Sequence, residues 1–146
     1  MELTRRQIYS LLPMGLLLRD LMADAVAENS ALPSAFYPFE KLPVRTEGAA
    51  QYRAILKGKL ATGESLEVHE TTLGPHATPH APHHHLHTEC WLIREGVVEL
   101  TVNGKSSQLG PGSLAFAASN EEHGIKNAGD SPATYFVVAI GPGAVG

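Results

Sequence analysis

The chain has 146 residues and a formal net charge of −4, with 43% hydrophobic and 18% charged residues. This length suits one domain with a single core, and the composition is typical of a globular protein. The charge excludes a general attraction to nucleic acid, the single cysteine excludes an intrachain disulfide, and no apolar run reaches the roughly 20 residues of a membrane span.

Residues 1–27 form a separate N-terminal segment with the features of an export signal. Arg5 and Arg6 precede an apolar run over residues 8–18, and residues 25–27 offer a small-residue cleavage pattern. The paired arginines resemble the start of a twin-arginine signal, which predicts an exported, periplasmic protein. The alternative is an ordinary amphipathic helix in a cytoplasmic protein, because a proline and a glycine interrupt the apolar run.

The rest of the chain predicts an all-β domain. We expect residues 28–50 to be an extended lead-in, residues 51–140 the β-domain, and residues 141–146 a loose tail. Short segments bounded by glycine and proline are typical of strands in a sandwich or barrel. The pair Asn103-Gly104 predicts a hairpin turn in which both residues have positive φ. The predicted strands are Gln51–Leu56, Ser65–Thr72, Cys90–Ile93, Val97–Val102, Ser113–Ala117, Gly124–Asn127 and Thr134–Ile140.

The segment PHAPHHHLHTECW, residues 79–91, concentrates five histidines, a glutamate and the only cysteine. In an extended strand His83 and His85 point to the same face about 6.6 Å apart, so both imidazoles can reach one ion, whereas His84 points away. Glu89 would lie roughly 13 Å beyond His85 in a straight strand, which is too far for ligand bonds of about 2 Å.

A shared metal site therefore requires the chain to turn between Leu86 and Thr88. Glu89 would then lie on the next strand beside the two histidines, and His87 would sit in the turn as a rim residue. The alternative interpretation is a surface histidine tract that binds metal loosely or not at all. The spacing by itself leaves both interpretations open.

A longer pattern surrounds these donors. His83 and His85 are one residue apart, Glu89 follows after three more residues, and Gly96 follows after another six. This spacing resembles the first motif of the cupin superfamily. The departure is Ala77, where that motif has a glycine, and it affects only the loop before the donors.

The segment GSLAFAASNEEHGIKN resembles the second cupin motif. Gly112, His123 and Asn127 stand at the matching positions. Ala118 replaces a proline, and Asn120 replaces a glycine. Because asparagine tolerates a left-handed backbone better than most residues, the second exchange keeps the turn possible.

The resemblance implies a small antiparallel jelly-roll barrel with a metal ion inside. It implies one divalent transition metal ion per chain, either Mn, Fe, Co, Ni, Cu or Zn, because the donors are nitrogen and oxygen. The implied ligands are His83, His85, Glu89 and His123. Candidate residues lining the barrel or supporting the site are His69, Trp91, Ile93, Leu100, Phe116, Tyr135 and Val137, and plain core packing is their alternative role.

Two side chains near these candidates have open roles. His69 either faces the cavity as a proton carrier or is a structural histidine with satisfied hydrogen bonds. Cys90 follows Glu89 directly, so strand alternation predicts that it points away from the metal and acts as a small hydrophobe. The pattern names no catalytic residue.

Two classes of function fit such a barrel, because its members host many chemistries. The first is a metal-dependent enzyme acting on a small molecule, either a dioxygenase-type enzyme or an isomerase or lyase. The second is a non-catalytic protein that holds a small ligand through the bound metal. A short barrel has exposed edge strands, so we also expect a homodimer that pairs them across a two-fold axis.

Overall fold

The computed structural model describes residues 31–145. The predicted export signal or N-terminal helix, residues 1–27, lies outside the described residues. Over the described range, none of the helical structure has the length and apolar character needed to cross a membrane.

The described chain is almost entirely β-structure, which confirms the predicted fold class. One short 3-10 helix, Phe39–Lys41, precedes the first strand. The strands are β1 (Val44–Glu47), β2 (Ala50–Lys59), β3 (Ser65–Leu73), β4 (Thr88–Glu95), β5 (Val98–Val102), β6 (Lys105–Leu109), β7 (Leu114–Ala117), β8 (His123–Asn127) and β9 (Ala133–Ile140).

The strands form two antiparallel sheets that share one core. The larger sheet has the order β1-β2-β3-β9-β4-β7, and the smaller sheet has the order β6-β5-β8. Strand β9 lies between β3 and β4, so the centre of the large sheet is built from segments far apart in sequence. Buried residues of both sheets belong to one hydrophobic cluster, which gives the predicted jelly-roll architecture.

Strand alternation decides which side chains enter this core. One cross-strand row on the inner face of the large sheet contains His69, Val137, Trp91 and Ala115. Because side chains alternate along each strand, the neighbouring row must face outward. Phe116 lies in that outward row and is 55% exposed, so the prediction that it lines the barrel is wrong.

The outward row leaves apolar side chains exposed on the large sheet. Leu92 is paired with Leu114, and Phe116 with Cys90, all on the outer face. Leu92, Leu114, Phe116 and Ile140 are exposed to solvent. The expected homodimer stays a prediction.

The lead-in and the tail are more ordered than predicted. Part of the lead-in forms β1, and β2 continues to Lys59, beyond the predicted strand end at Leu56. In the tail, Ala144 is buried and its backbone N–H donates to Gly141. The ordered structure of the lead-in and the tail depends on contacts with other segments, which local sequence patterns do not predict.

A buried ion-pair cluster lies under the 3-10 helix. Glu70 is 4% exposed and contacts Arg94 at 2.6 Å and Arg53 at 3.6 Å. The guanidinium carbon of Arg53 lies 3.9 Å from the ring centroid of Phe39. The two cations thus compensate a carboxylate that would otherwise be costly to bury, and the Phe39 ring packs against the cations.

Asn127 ties the loop after β8 to the end of β3. Its Nδ2 donates to the carbonyl oxygens of Leu73, Gly74 and Ser131 at 3.1, 2.9 and 2.7 Å. Its Oδ1 accepts a hydrogen bond from the Gly129 N–H at 2.9 Å. Asn127 is fully buried, so this residue of the second motif has a structural role.

The turn residues adopt the left-handed conformations that their types predict. Asn103 and Gly104 have φ of 47° and 76°, which confirms the predicted hairpin turn. Asn120 has φ of 62°, so asparagine keeps the turn where the motif has glycine. Gly96 has φ of 76°, and a Cβ there would lie 2.7 Å from the Cα of Ala133.

Two turn glycines, Gly104 in the β5–β6 hairpin and Gly96 between β4 and β5, allow steric crowding to be separated from backbone strain. Gly104 has the same φ as Gly96, but a Cβ at Gly104 would have no described atom within 4 Å. We expect Gly104→Ala to lower the free energy of unfolding by about 1 kcal/mol and Gly96→Ala by about 2–4 kcal/mol. Urea denaturation measures both values. Equal losses would contradict the close packing of Gly96 against β9.

Candidate metal centre

The chain bends at the point that a shared site requires. His83 forms an isolated antiparallel bridge with His123, with backbone N–H to O distances of 3.0 and 2.8 Å. Leu86 and His87 form a bend, and β4 begins immediately afterwards at Thr88. The reversal places Glu89 on the strand beside the two earlier histidines, as the spacing argument predicts.

The four predicted donors lie together inside the barrel. Ring centroids are 5.1 Å apart for His83 and His85, 4.8 Å for His83 and His123, and 4.7 Å for His85 and His123. One nitrogen from each of these rings lies within 4.8 Å of the others. Glu89 reaches the cluster, with Oε1 3.3 Å from His85 Nε2 and Oε2 3.5 Å from His123 Nε2.

Backbone carbonyls fix the tautomers of two of these rings. His85 Nδ1–H donates to the carbonyl of His87 at 3.0 Å, and His123 Nδ1–H donates to the carbonyl of Glu121 at 2.8 Å. In the neutral rings, both Nε2 atoms then carry lone pairs, so their approach to Glu89 supplies no proton for a hydrogen bond. Both Nε2 atoms are buried without a hydrogen-bond partner among the described residues.

The surroundings of His83 favour its neutral imidazole form. Burial lowers the pKa of His83, and the neighbouring His80, His123 and His85 lower it further. Metal ions bind the neutral form of imidazole. The buried lone pairs and the facing carboxylate therefore fit a divalent cation, and the described cluster could hold one.

His87 does not lie on the rim as predicted. Its side chain is only 14% exposed, and its ring stacks on the ring of His85 at a centroid distance of 3.4 Å. Its Nε2 lies 3.3 Å from Glu89 Oε1. After the bend, the His87 side chain lies within the cluster, against His85 and Glu89.

Aromatic residues cover the inner side of the cluster. The ring of Trp91 lies 5.1 Å from the ring of His123. Tyr135 is buried, and burial raises its pKa well above the usual range, so it stays a neutral phenol. Ile93 and Leu100 are buried in the hydrophobic core, so they have the core-packing role that was the alternative to lining the site.

Glu89 lines a small cavity of about 60 Å³. The cavity is lined by Tyr52, His69, Thr71, Pro79, His80, Glu89, Trp91, Ile125, Tyr135 and Val137. An adjacent groove of about 400 Å³ shares Tyr52, His69 and His80 with it. A volume of this size is typical of small-molecule sites.

His69 lines both the cavity and the groove, which favours the cavity-facing role over the structural one. Its Nδ1 lies 3.3 Å from Glu67 Oε1. Burial lowers the pKa of His69, while Glu67 and Glu89 act in the opposite direction. The sequence analysis missed Tyr52, whose ring centroid lies 6.2 Å from that of His69, because its inward direction depends on the pairing of β2 with β3.

Three other candidate residues, His76, His84 and Cys90, lie outside the cluster. His84 is exposed, as the alternation predicts, and the exposed His76 contacts Asp130 at 2.8 Å. Cys90 lies on the outer face of β4 opposite Phe116, so it points away from Glu89. Burial raises the pKa of the Cys90 thiol, which is consistent with an unreactive hydrophobe.

The chain is similar to known proteins in both sequence and fold. A family model described as Cupin domain matches residues 69–139. An L-ectoine synthase from Bordetella parapertussis is 35% identical over 82 residues, which cover 55% of this chain. The matched part spans only 60% of that relative's own length.

Solved structures support the same architecture. An RmlC-like cupin from Shewanella frigidimarina has a TM-score of 0.64 at 16% identity, covering 75% of this chain and 94% of that one. A polyketide cyclase from Streptomyces resistomycificus has a TM-score of 0.60 at 16% identity, covering 74% of this chain and 80% of that one. At this level of identity, the likeness concerns the fold alone.

The lowered pKa of His69 predicts a specific dependence of stability on pH. The unfolded chain, with a histidine pKa of about 6.5, binds a proton before the folded protein does. The stability contributed by neutral His69 is therefore complete above about pH 6.5 and is lost as the pH falls toward the folded pKa. We expect the stability difference between wild type and His69→Gln to decrease on acidification, measured by urea denaturation with a chelator present. A difference that grows would mean that Glu67 and Glu89 hold the folded imidazole protonated.

Proposed function

We propose that this chain, which belongs to the cupin superfamily, binds one divalent transition metal ion and is an enzyme acting on a small molecule. The proposed ligands are His83, His85, Glu89 and His123. The observation that carries this proposal is the pair of buried Nε2 lone pairs on His85 and His123, which face the Glu89 carboxylate without a hydrogen-bond partner among the described residues.

The net charge of the four proposed ligands is also compatible with a divalent ion. Three neutral imidazoles and one carboxylate carry a charge of −1, so a divalent ion leaves the centre at +1. Mn, Fe, Co, Ni, Cu and Zn all accept this mixture of nitrogen and oxygen donors. When bound, the ion supplies a Lewis acid for a carbonyl, enol or phenol oxygen of the substrate.

The surrounding residues support proton transfer within the groove. His69 lines both the 400 Å³ groove and the cavity that Glu89 also lines, where a substrate held in the groove would meet it. Because burial lowers its pKa, His69 is available as a base near neutral pH. Trp91, Tyr135 and Val137 form an apolar wall that excludes water from one side of the cavity.

These features favour an isomerase-type or lyase-type reaction. Such reactions move a proton next to a carbonyl or hydroxyl group, and His69 supplies a side chain placed for that step. The likeness to L-ectoine synthase over 82 residues also supports an enzyme rather than a binding protein. The experiments distinguish this reaction class from dioxygenase-type chemistry and from non-catalytic binding of a ligand.

Metal binding has a direct test in two neighbouring histidines. Protein purified without added metal should contain about one divalent ion per chain by elemental analysis. His85→Ala should lower the affinity by more than about a hundredfold, because this residue is a direct ligand rather than a supporting group. His84→Ala is the matched control, since this exposed side chain points away, and it should retain the ion. Equal metal content in both variants would support a loose surface tract.

The reaction class is tested with small carbonyl, enol and phenol compounds in deuterated water. We expect the metal-loaded protein to exchange a carbon-bound proton of an accepted compound, measured by NMR. His69→Gln should slow the exchange by about 10²–10⁴-fold, the usual contribution of a general base, with little change in binding. His76→Gln, outside the groove, is the control.

Two results of this screen would overturn the proposed reaction class. Consumption of oxygen with product formation would support a dioxygenase. Binding of a compound without exchange, product or oxygen uptake would support a non-catalytic ligand-binding protein.

A further inference from the structure

One donor-bearing residue has no place in the proposed ligand set. The sequence HHHLHTE puts a potential ligand at every second position, namely His83, His85, His87 and Glu89. The superfamily motif accounts for the first, second and fourth of these. His87 is the remaining one, and its side chain lies inside the cluster rather than in solvent.

The contacts of His87 place it against two of the proposed ligands. Its ring is nearly parallel to that of His85, with an interplanar angle of 15° and a centroid distance of 3.4 Å. Oε1 of Glu89 lies 3.3 Å from the Nε2 of both histidines. Ligand atoms of His85, His87 and Glu89 all lie within 4.8 Å of one another, as do those of the three-histidine group.

A hydrogen bond alone accounts poorly for this arrangement. Charge-assisted N–H to carboxylate contacts usually measure about 2.7–2.9 Å, and the His87 contact is longer at 3.3 Å. The other ring nitrogen, Nδ1, is buried without a hydrogen-bond partner among the described residues. The backbone at Gly143 lies near this nitrogen, since a Cβ there would be 3.9 Å from His87 Nδ1.

We propose that His87 is a fifth protein donor, so that the bound ion has two overlapping donor triads. The first triad is His83, His85 and His123, and the second is His85, His87 and Glu89. This inference rests on the proposed metal site. The further claim is that the second triad still holds a divalent ion when His83 and His123, which belong only to the first triad, are removed.

Two overlapping triads have a consequence that a four-ligand site lacks. Within a single set of four ligands, loss of His83 and His123 together leaves only His85 and Glu89. With His87 as a donor, that double variant still has three donors in contact range. Removal of His87 then reduces the set to two and should end binding.

Cobalt(II) titration of the full chain tests this inference, with affinity measured by competition with a chromophoric chelator. We expect His87→Ala to weaken binding by about tenfold or more and to change the visible cobalt spectrum. The variant His83→Ala with His123→Ala should retain weak binding, and adding His87→Ala should abolish it. The matched control is again His84→Ala, which should leave affinity and spectrum unchanged.

A conservative variant separates direct ligation from support of Glu89. In His87→Gln, the amide N–H still donates a hydrogen bond to the carboxylate, but the imidazole nitrogen is lost. Affinity and spectrum like those of the wild type in His87→Gln would overturn the inference and leave His87 as a positioning residue. Unchanged affinity in His87→Ala would overturn it as well.

The failure of the inference is distinguishable from failure of the proposed function. If the wild type binds no cobalt, the metal site itself is wrong. If the wild type binds cobalt and the double variant has lost all binding, the metal site stands and the second triad does not.

Discussion

The reversal of the chain at Leu86 and His87 is the constraint on which the rest of the site depends. It brings Glu89 to 3.3 Å from His85, although a straight strand would separate them widely. The backbone bridge between His83 and His123 holds the fourth donor against the same region. Without the bend, the carboxylate would lie farther along the strand, and the histidines would form only a surface tract.

The residues of the two motifs divide into chemical and structural roles. The histidines and Glu89 provide potential ligand atoms, whereas Gly96 and Asn127 stabilise the local backbone conformation. Gly96 allows a left-handed turn against Ala133, where a Cβ would clash. Asn127 supplies the hydrogen-bond donor for the carbonyl groups at the end of β3. Removing this side chain would leave those buried carbonyls unpaired, which lowers the free energy of unfolding. Gly96 and Asn127 thus help to hold the two sheets in the arrangement that keeps the candidate ligands together.

The energetics of the site follow from burial. Lone pairs on His85 and His123 lie in the interior without hydrogen bonds from the described residues, which costs folding free energy. A bound cation would offset that cost, and it would interact strongly with Glu89 in a region of low dielectric. Burial lowers the pKa of His69 and raises that of Tyr135, so the 60 Å³ cavity combines a neutral base with a neutral phenol. The proposed metal affinity and the proposed proton transfer thus depend on the same physical property, burial.

The sequence alone determined the strand-rich fold and the Asn103-Gly104 hairpin, because these depend on local patterns and turn chemistry. Spacing showed only that a turn is needed for Glu89 to reach His83 and His85, and His123 joined the candidate donors through the resemblance to the cupin motifs. Only the tertiary structure decided which faces are buried. Phe116 points outward, while His69 and Tyr52 point inward, because the register between distant strands sets these directions. A shift of one residue reverses every side chain of a strand, so alternation without register leaves both faces open. The inward position of His87 likewise results from its stacking on His85 after the bend, a contact that spacing along the chain does not specify.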